Sequence, residues 1–219
     1  MKTFVIFDLD GTLLNTIDDL AAATNHALQS LGYPTHGLWV YPSMVGNGVG
    51  KLIERALPQE ARTEKIIKDC LAEFKAYYND HCCDATTPYP GIPELLEDLS
   101  AKGVNLAVTS NKYNEAVEKI INHYFPNANF RAILGHVEGM QRKPDPSIVF
   151  KALSMCPTPK AQVLYVGDSG VDMETAQRAC VESCGVTWGF RPIQELQQFY
   201  ADHIVSTPTQ IAELVEKRG

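Results

Sequence analysis

Two carboxylates separated by one residue, Asp8 and Asp10, stand where a short apolar run ends, in Phe4-Val5-Ile6-Phe7-Asp8-Leu9-Asp10-Gly11-Thr12. Alternate residues of an extended chain point the same way, so both acids can act on one centre while Leu9 points elsewhere. Carboxylates that close do not stay ionised together without a cation or a shared proton. Gly11 then allows a sharp turn that a Cβ would resist. Taken alone, the same residues also read as a strand followed by an ordinary turn, for which Asp and Gly are common.

Three later segments offer groups that complement these acids. Thr109-Ser110-Asn111 follows the apolar run Val104–Val108 and precedes a helical pattern, where a hydroxyl and free backbone N–H groups can meet an anion. A plain helix cap is the alternative there. Lys143 lies in Arg142-Lys143-Pro144-Asp145-Pro146, with Asp145 placed as a helix N-cap and Pro146 as the first helical residue. The lysine is thereby held on a stiff approach to a helix, although an exposed loop lysine is the commoner case. Gly167-Asp168-Ser169 closes the apolar run Val163–Val166, and Asp172 follows in a supporting position. Gly46-Asn47-Gly48-Val49-Gly50-Lys51 invites a nucleotide-binding reading that fails. A phosphate-binding loop of that type needs glycine at Val45 and Ser or Thr at Leu52, and a dinucleotide fingerprint needs glycine at Lys51 and a preceding strand. The segment reads better as a loop whose N–H groups descend onto a small anionic substrate, with a plain turn as the alternative. Lys112 is placed to pair with a substrate carboxylate or second phosphate, or simply to be exposed.

The elements that position these groups alternate between strand and helix. The run before Asp8 has strand composition without helical spacing, as in a strand buried on both faces. Thr16-Ile17-Asp18-Asp19 has the form of a capping box opening a helix. Further helices are expected over Val49–Ala56 and Thr63–Tyr78, the second with aromatics that read as packing, and no strand is expected between Asn15 and Thr87. Beyond Pro88, helices at Pro93–Lys102, Tyr113–Tyr124, Pro146–Met155, Val171–Ala179, Ile193–Tyr200 and Pro208–Lys217 alternate with strands. Those strands are Val104–Val108, Phe130–Leu134, Val163–Val166, Gly185–Trp188 and His203–Val205. This alternation implies a parallel α/β sheet with right-handed crossovers. Residues just past the carboxyl ends of such strands face the ligand crevice. The helical stretch interrupts the series after its first strand, so it is expected to be an insertion lying over that strand's carboxyl end.

With 219 residues and 45% hydrophobic composition, the chain can bury a sizeable core. A formal net charge of −7 and the lack of a Lys/Arg run argue against nucleic acid and anionic membrane as partners. No apolar run reaches membrane-span length, and Asp8 and Asp10 interrupt the N-terminal one, so a cytoplasmic protein is expected. The six cysteines include no C-x-x-C pair and read as free thiols. His81-Cys82-Cys83 is a poor zinc site, because three consecutive side chains diverge.

Taken together, Asp8-Leu9-Asp10-Gly11-Thr12, Thr109, Lys143 and Gly167-Asp168-Ser169-Gly170-Val171-Asp172 resemble, in order, the four signatures of the haloacid dehalogenase superfamily. Leu20-Ala21-Ala22-Ala23, Gly46-Asn47-Gly48 and Glu54-Arg55-Ala56-Leu57 are similar to its phosphoglycolate phosphatase branch. The resemblance implies a Rossmann-like parallel core, residues 1–15 and 88–219, with an inserted α-helical cap of the C1 type, residues 16–87. It implies a phosphatase for a small phosphorylated metabolite, with Asp8 as nucleophile and Asp10 as general acid and base. Mg²⁺ would be held by Asp8, Asp168 and the Asp10 carbonyl. Thr109, Ser110, Asn111 and Lys143 would hold phosphate, and Gly11, Thr12, Ser169 and Asp172 would support them. Gly46, Asn47, Gly48, Lys51 and Lys112 would bear on specificity. The implied substrate is 2-phosphoglycolate; pyrophosphate, a nucleotide or a sugar phosphate are alternatives. A mutase similar to β-phosphoglucomutase would need a cap cation for a second phosphate, for which Lys51 is the nearest candidate. The complete acid and lysine set argues against a non-enzymatic binding protein.

Overall fold

The computed structural model describes residues 1–217. Its first strand, β1 (Phe4–Phe7), buries all four side chains. After β1 come β2 (Leu14–Asn15), α1 (Ile17–Ser30), α2 (Tyr41–Met44), α3 (Val49–Ala56), α4 (Glu64–His81) and β3 (Thr87–Pro88). Then follow α5 (Ile92–Ala101), β4 (Asn105–Tyr113), α6 (Asn114–Tyr124), β5 (Phe130–His136), α7 (Ser147–Met155) and β6 (Val163–Gly167). The chain continues through α8 (Gly170–Ala179), β7 (Glu182–Val186), α9 (Ile193–Gln198), β8 (His203–Val205) and α10 (Pro208–Glu216).

Six parallel strands form one sheet in the order β5-β4-β1-β6-β7-β8. Alternation along β1 divides the core: Val5 and Phe7 pack into one apolar cluster, Phe4 and Ile6 into the other, so helices cover both faces. Each such fully buried apolar side chain contributes on the order of 1.5–3 kcal/mol. Register then aligns the chemistry. Phe7 stands level with Val108 of β4 and Val166 of β6. Asp8, Thr109 and Gly167, far apart in sequence, therefore stand side by side just past the shared register. The strand order reverses on either side of β1, which is where open α/β sheets form their crevice.

α1 to α4 lie in sequence between β2 and β3, which pair antiparallel with Leu14 opposite Pro88 and Asn15 opposite Thr87. The sequence shows no sign of this ladder, because two residues per strand carry no periodicity. The capping box expected at Thr16 is not formed. Thr16 is the N-cap of α1 without a side-chain cap bond. Its hydroxyl instead donates to Asp10 Oδ1 at 2.7 Å, and Asp19 accepts from the N–H groups of Ala85 and Thr86 at 2.9 and 2.8 Å. Other partners outcompete the helix N–H groups at both positions: Thr16 ties the start of α1 to Asp10, and Asp19 ties the two ends of the helical segment together.

Other boundaries move for similar reasons. α7 starts at Ser147 with Pro146 as its N-cap, and Asp145 accepts from the N–H and hydroxyl of Ser147. β7 starts at Glu182, earlier than its apolar pattern, because its polar residues find partners: Glu182 meets Lys2 and His203, and Ser183 meets Asp202. β4 runs on to Tyr113 through a register shift after Thr109. All six cysteines are free thiols, and among the described residues no helix is long and apolar enough to cross a membrane.

Candidate active site

Asp8, Asp10, Ser110, Lys112, Lys143 and Asp168 border one cavity of about 50 Å³ at the carboxyl end of the sheet. β1 delivers Asp8, whose N–H is anchored on the Val166 carbonyl at 2.8 Å. Gly11 follows at φ +85°, and a Cβ there would lie 2.3 Å from Asp168 Oδ2. Glycine is required at that point both for the turn and for the close approach of the β6 acid. Gly189 makes the same approach from the far side, where a Cβ would lie 2.3 Å from that of Asp168.

Lys143 is the hub. Its buried Nζ lies 2.7 Å from both Asp8 Oδ1 and Asp172 Oδ1, and donates to the Thr109 carbonyl at 3.2 Å and the Tyr165 hydroxyl at 3.3 Å. Burial works against its charge, but the carboxylates of Asp172 and Asp8 outweigh burial and hold its pKa well above the usual lysine range. Asp172 is bifunctional. Its Oδ2 accepts from the N–H and hydroxyl of Ser169 at the start of α8, at 3.2 and 2.6 Å, while Oδ1 meets Lys143. Gly167 leaves room for it, since a Cβ there would lie 2.3 Å from that of Asp172.

One lysine does not balance this cluster. Oxygens of Asp8, Asp168 and Asp172, all buried, lie within 4.8 Å of one another. Burial, opposed by Lys143 and reinforced by Asp172 and Asp10, pushes the Asp8 carboxyl up to about 7. Burial and then the charges of Asp172 and Asp8 push Asp168 well above the carboxylate range, against the Phe190 N–H that donates to its Oδ2 at 2.7 Å. An all-oxygen donor set with uncompensated negative charge fits a hard divalent cation.

The remaining expected residues divide. Ser110 borders the cavity and its Oγ accepts from the Lys112 N–H at 3.2 Å, which leaves the hydroxyl hydrogen free. Thr109 is corrected: its hydroxyl turns inward, 3.0 Å from that of Tyr165, because one step along an extended chain reverses the side chain. The Asn111 side chain is likewise no anion ligand; it bridges the Gly46 and Lys143 carbonyls, each at 3.2 Å, and accepts from the Lys143 N–H at 2.9 Å. Thr12 is fully buried, with its carbonyl accepting from Trp188 Nε1 at 3.0 Å.

Lys112 is buried rather than exposed, with Nζ 3.0 Å from Asp10 Oδ1 and 3.0 Å from the Tyr78 hydroxyl of α4. Tyr78 and Phe74 stack at 5.1 Å within the core, as the packing reading of the α4 aromatics expects, and both also border the cavity. Gly46 and Gly48 border it as well. Asn47 does not, and instead accepts from Arg55 Nη2 at 2.7 Å. Lys51 is corrected too: it is exposed and paired with Glu54 at 2.6 Å, since the polar face of α3 points to solvent. Sequence reasoning missed Tyr165, Tyr78, Thr16 and Arg191. Tyr165 left one signal, a hydroxyl in an otherwise apolar strand.

The chain also has relatives among known proteins. The family described as haloacid dehalogenase-like hydrolase matches residues 5–186. A phosphoglycolate phosphatase of Pseudomonas syringae pv. tomato is 36% identical over 204 residues, covering 89% of this chain and 74% of that protein. Another, of Aquifex aeolicus, is 32% identical over 212 residues, covering 97% and 96%. A crystal structure from Lactobacillus delbrueckii subsp. bulgaricus, of a protein described as a phosphoglycolate phosphatase by prediction, is 34% identical. It superposes with a TM-score of 0.91 over 98% of this chain and 99% of that one. A match over most of its length, carried on an α/β fold shared with that structure, makes this chain a member of the haloacid dehalogenase-like hydrolases.

Proposed function

We propose that this phosphoric monoester hydrolase is Mg²⁺-dependent, acts on 2-phosphoglycolate, and works through an aspartyl-phosphate on Asp8. One observation carries the reading: a buried Asp8 in contact with Lys143 and beside Asp168 borders a cavity of about 50 Å³ that also holds a second lysine, Lys112. A second buried lysine beside the acids suits a substrate that carries a carboxylate as well as a phosphate. The curated relatives named phosphoglycolate phosphatase support the same choice.

Asp8 and Asp168, with the Asp10 backbone carbonyl, would hold Mg²⁺, which supplies neutralisation of the phosphate and carboxylate charges that would otherwise repel. Asp8 attacks phosphorus, forming a new P–O bond as the bond to the leaving oxygen breaks, and Asp10 delivers the proton that oxygen requires. Asp10 then takes a proton from the water that cleaves the aspartyl-phosphate, which restores Asp8. Lys143 and the Ser110 hydroxyl hold the transferring oxygens, where donors fixed before reaction need no reorganisation. Lys112 receives the substrate carboxylate. Residues 16–87 form a cap on a core of residues 1–15 and 88–219, hinged near β2 and β3, which excludes water during the transfer. Two cap cations that a mutase could turn to a second phosphate are engaged elsewhere: Lys51 with Glu54, and Arg55 with the Met44 carbonyl and Asn47.

The test is phosphate release across small phosphorylated metabolites with Mg²⁺ or chelator. Asp8→Asn is expected to lower turnover roughly 1,000-fold or more without changing the fold, read by circular dichroism. Lys112→Met is expected to raise the KM for 2-phosphoglycolate about tenfold or more, and that of an uncharged-alcohol ester far less. Near-normal activity of Asp8→Asn would overturn the mechanism, and equal effects of Lys112→Met on both esters would overturn the substrate.

A further inference from the structure

The loop joining β7 to α9 faces two ways. Phe190 donates its N–H to Asp168 at 2.7 Å, and Gly189 packs its bare backbone against the same acid. The next residue, Arg191, reaches across to the helical insertion. Its Nη1 donates to the Pro42 carbonyl at 2.9 Å and its Nη2 to the Val45 carbonyl at 2.6 Å. The Arg191 side chain is 18% exposed and borders the catalytic cavity, with Nε 3.8 Å from Glu195. Glu195 accepts from the Gly170 N–H at 2.9 Å, which ties the arrangement to the start of α8.

The turn that Arg191 grips has its carbonyls held on every side. Met44 O takes Arg55 Nη1 at 2.6 Å, Val45 O takes Arg191, and Gly46 O takes Asn111 Nδ2 at 3.2 Å. Gly46 sits at φ +120°, and a Cβ there would lie 3.2 Å from Arg191 Nη2. In a planar peptide the N–H opposes the C=O, so fixing the Val45 and Gly46 carbonyls also fixes the directions of the Gly46 and Asn47 N–H groups. A planar guanidinium can bridge two carbonyls, whereas an ammonium acts as a single point charge.

We propose that Arg191 is a positioning residue that locks the Pro42–Gly48 turn over the catalytic cavity from the loop that also holds Asp168, coupling order at the metal carboxylates to seating of the cap. The coupling to Mg²⁺ rests on the phosphatase reading; the lock does not. Its test is amide hydrogen exchange in peptides spanning residues 41–52, where the Val45 and Leu52 N–H groups bond to Tyr41 and Gly48 carbonyls. The wild type, Arg191→Ala and Arg191→Lys are compared with and without Mg²⁺. Arg191→Ala is expected to accelerate exchange about tenfold or more, and Arg191→Lys less, because the lysine keeps the charge and loses the fork. Mg²⁺ is expected to slow exchange in the wild type and not in Arg191→Ala. In turnover, kcat/KM for 2-phosphoglycolate should fall about tenfold in Arg191→Ala, and for para-nitrophenyl phosphate about threefold or less, because its leaving group depends less on a seated cap.

Exchange in Arg191→Ala equal to the wild type overturns the lock. Wild-type exchange indifferent to Mg²⁺ overturns the coupling. Should Arg191→Ala fail to fold, Arg191→Lys carries the test, with wild-type exchange in that variant counting against the lock. Failure of the phosphatase reading shows separately, as no phosphate release from the wild type, while the exchange comparison of the lock needs no substrate.

Discussion

The carboxyl edge of the sheet and the helical segment above it are held by different kinds of bond. At the sheet edge, the charged contacts run from side chain to side chain: Lys143 to Asp8 and Asp172, with Ser169 to Asp172 and Thr109 to Tyr165 beside them. Above it, side chains mostly bind backbone: Arg191 to Pro42 and Val45, Arg55 to Met44, Asn111 to Gly46, and Asp19 to Ala85 and Thr86. Every residue type offers a carbonyl and nearly every one an N–H. The lower region is therefore specified by residue identity and the upper one by chain position. Charge is dense below and must be balanced, which makes the sheet edge costly to disturb, whereas the upper contacts, the buried Asp19 apart, can exchange without leaving a buried ion unpaired.

Breaking the side-chain hub should show that contrast most strongly. Lys143→Met strips the cation from Asp8 and Asp172 together, and the loss of one partner from a buried pair costs about 3–5 kcal/mol. Denaturant unfolding should show that loss, and turnover should fall roughly 100-fold or more. A variant of wild-type stability would mean that the sheet edge is no more dependent on charge than the helical segment.

Proton linkage gives the next effect. The Asp8 carboxyl sits at about 7 in the folded chain against an ordinary 3.8, raised by burial and by Asp172 and Asp10 against Lys143. The folded state thus binds this proton more tightly than the unfolded state does. Its contribution to stability is present at low pH and is lost as pH rises from about 4 through about 7. Asp168, also raised, acts with the same sign. In chelator, the wild type should lose melting temperature relative to Asp8→Asn over that interval. Stabilisation by Mg²⁺ should grow over the same interval, because deprotonated carboxylates are its ligands. A difference between the two proteins that is flat with pH would remove the linkage.

The smallest effect sharpens the comparison within one strand. Thr109→Val removes a buried hydroxyl contact with Tyr165, at a cost of about 1 kcal/mol in stability and little activity. Ser110→Ala is expected to lower kcat/KM about tenfold with stability nearly unchanged, read by steady-state kinetics beside thermal melts. The reverse pattern would return the anion-binding role to Thr109.

Asp8, Asp10 and Asp168 could be picked out because acids at the ends of apolar runs are unusual, and Lys143 because prolines hold it on the approach to a helix; the six strands of the main sheet were largely legible because burial on both faces leaves apolar runs, whereas β2 and β3 were not. Thr109 and Ser110 were not separable, since period-two orientation decides which of two adjacent hydroxyls enters the cavity and a local shift in register after Thr109 hides the phase. Lys112, read as open between substrate pairing and exposure, becomes a buried partner of Asp10 and Tyr78 only when α4 is laid over β4.

The sequence by itself determined the parallel α/β core, the helical interruption after the first strand, and which acids and which lysine gather at the cavity, because burial patterns and ionisable side chains are written residue by residue. Tertiary structure alone decided that Asp172 divides between helix cap and Lys143, that Thr16 turns to Asp10 while Asp19 ties the segment's two ends, and that Arg191 grips a turn some 146 residues away. Those choices are competitions among hydrogen-bond partners, and a donor's strongest acceptor is set by which backbone the fold brings near.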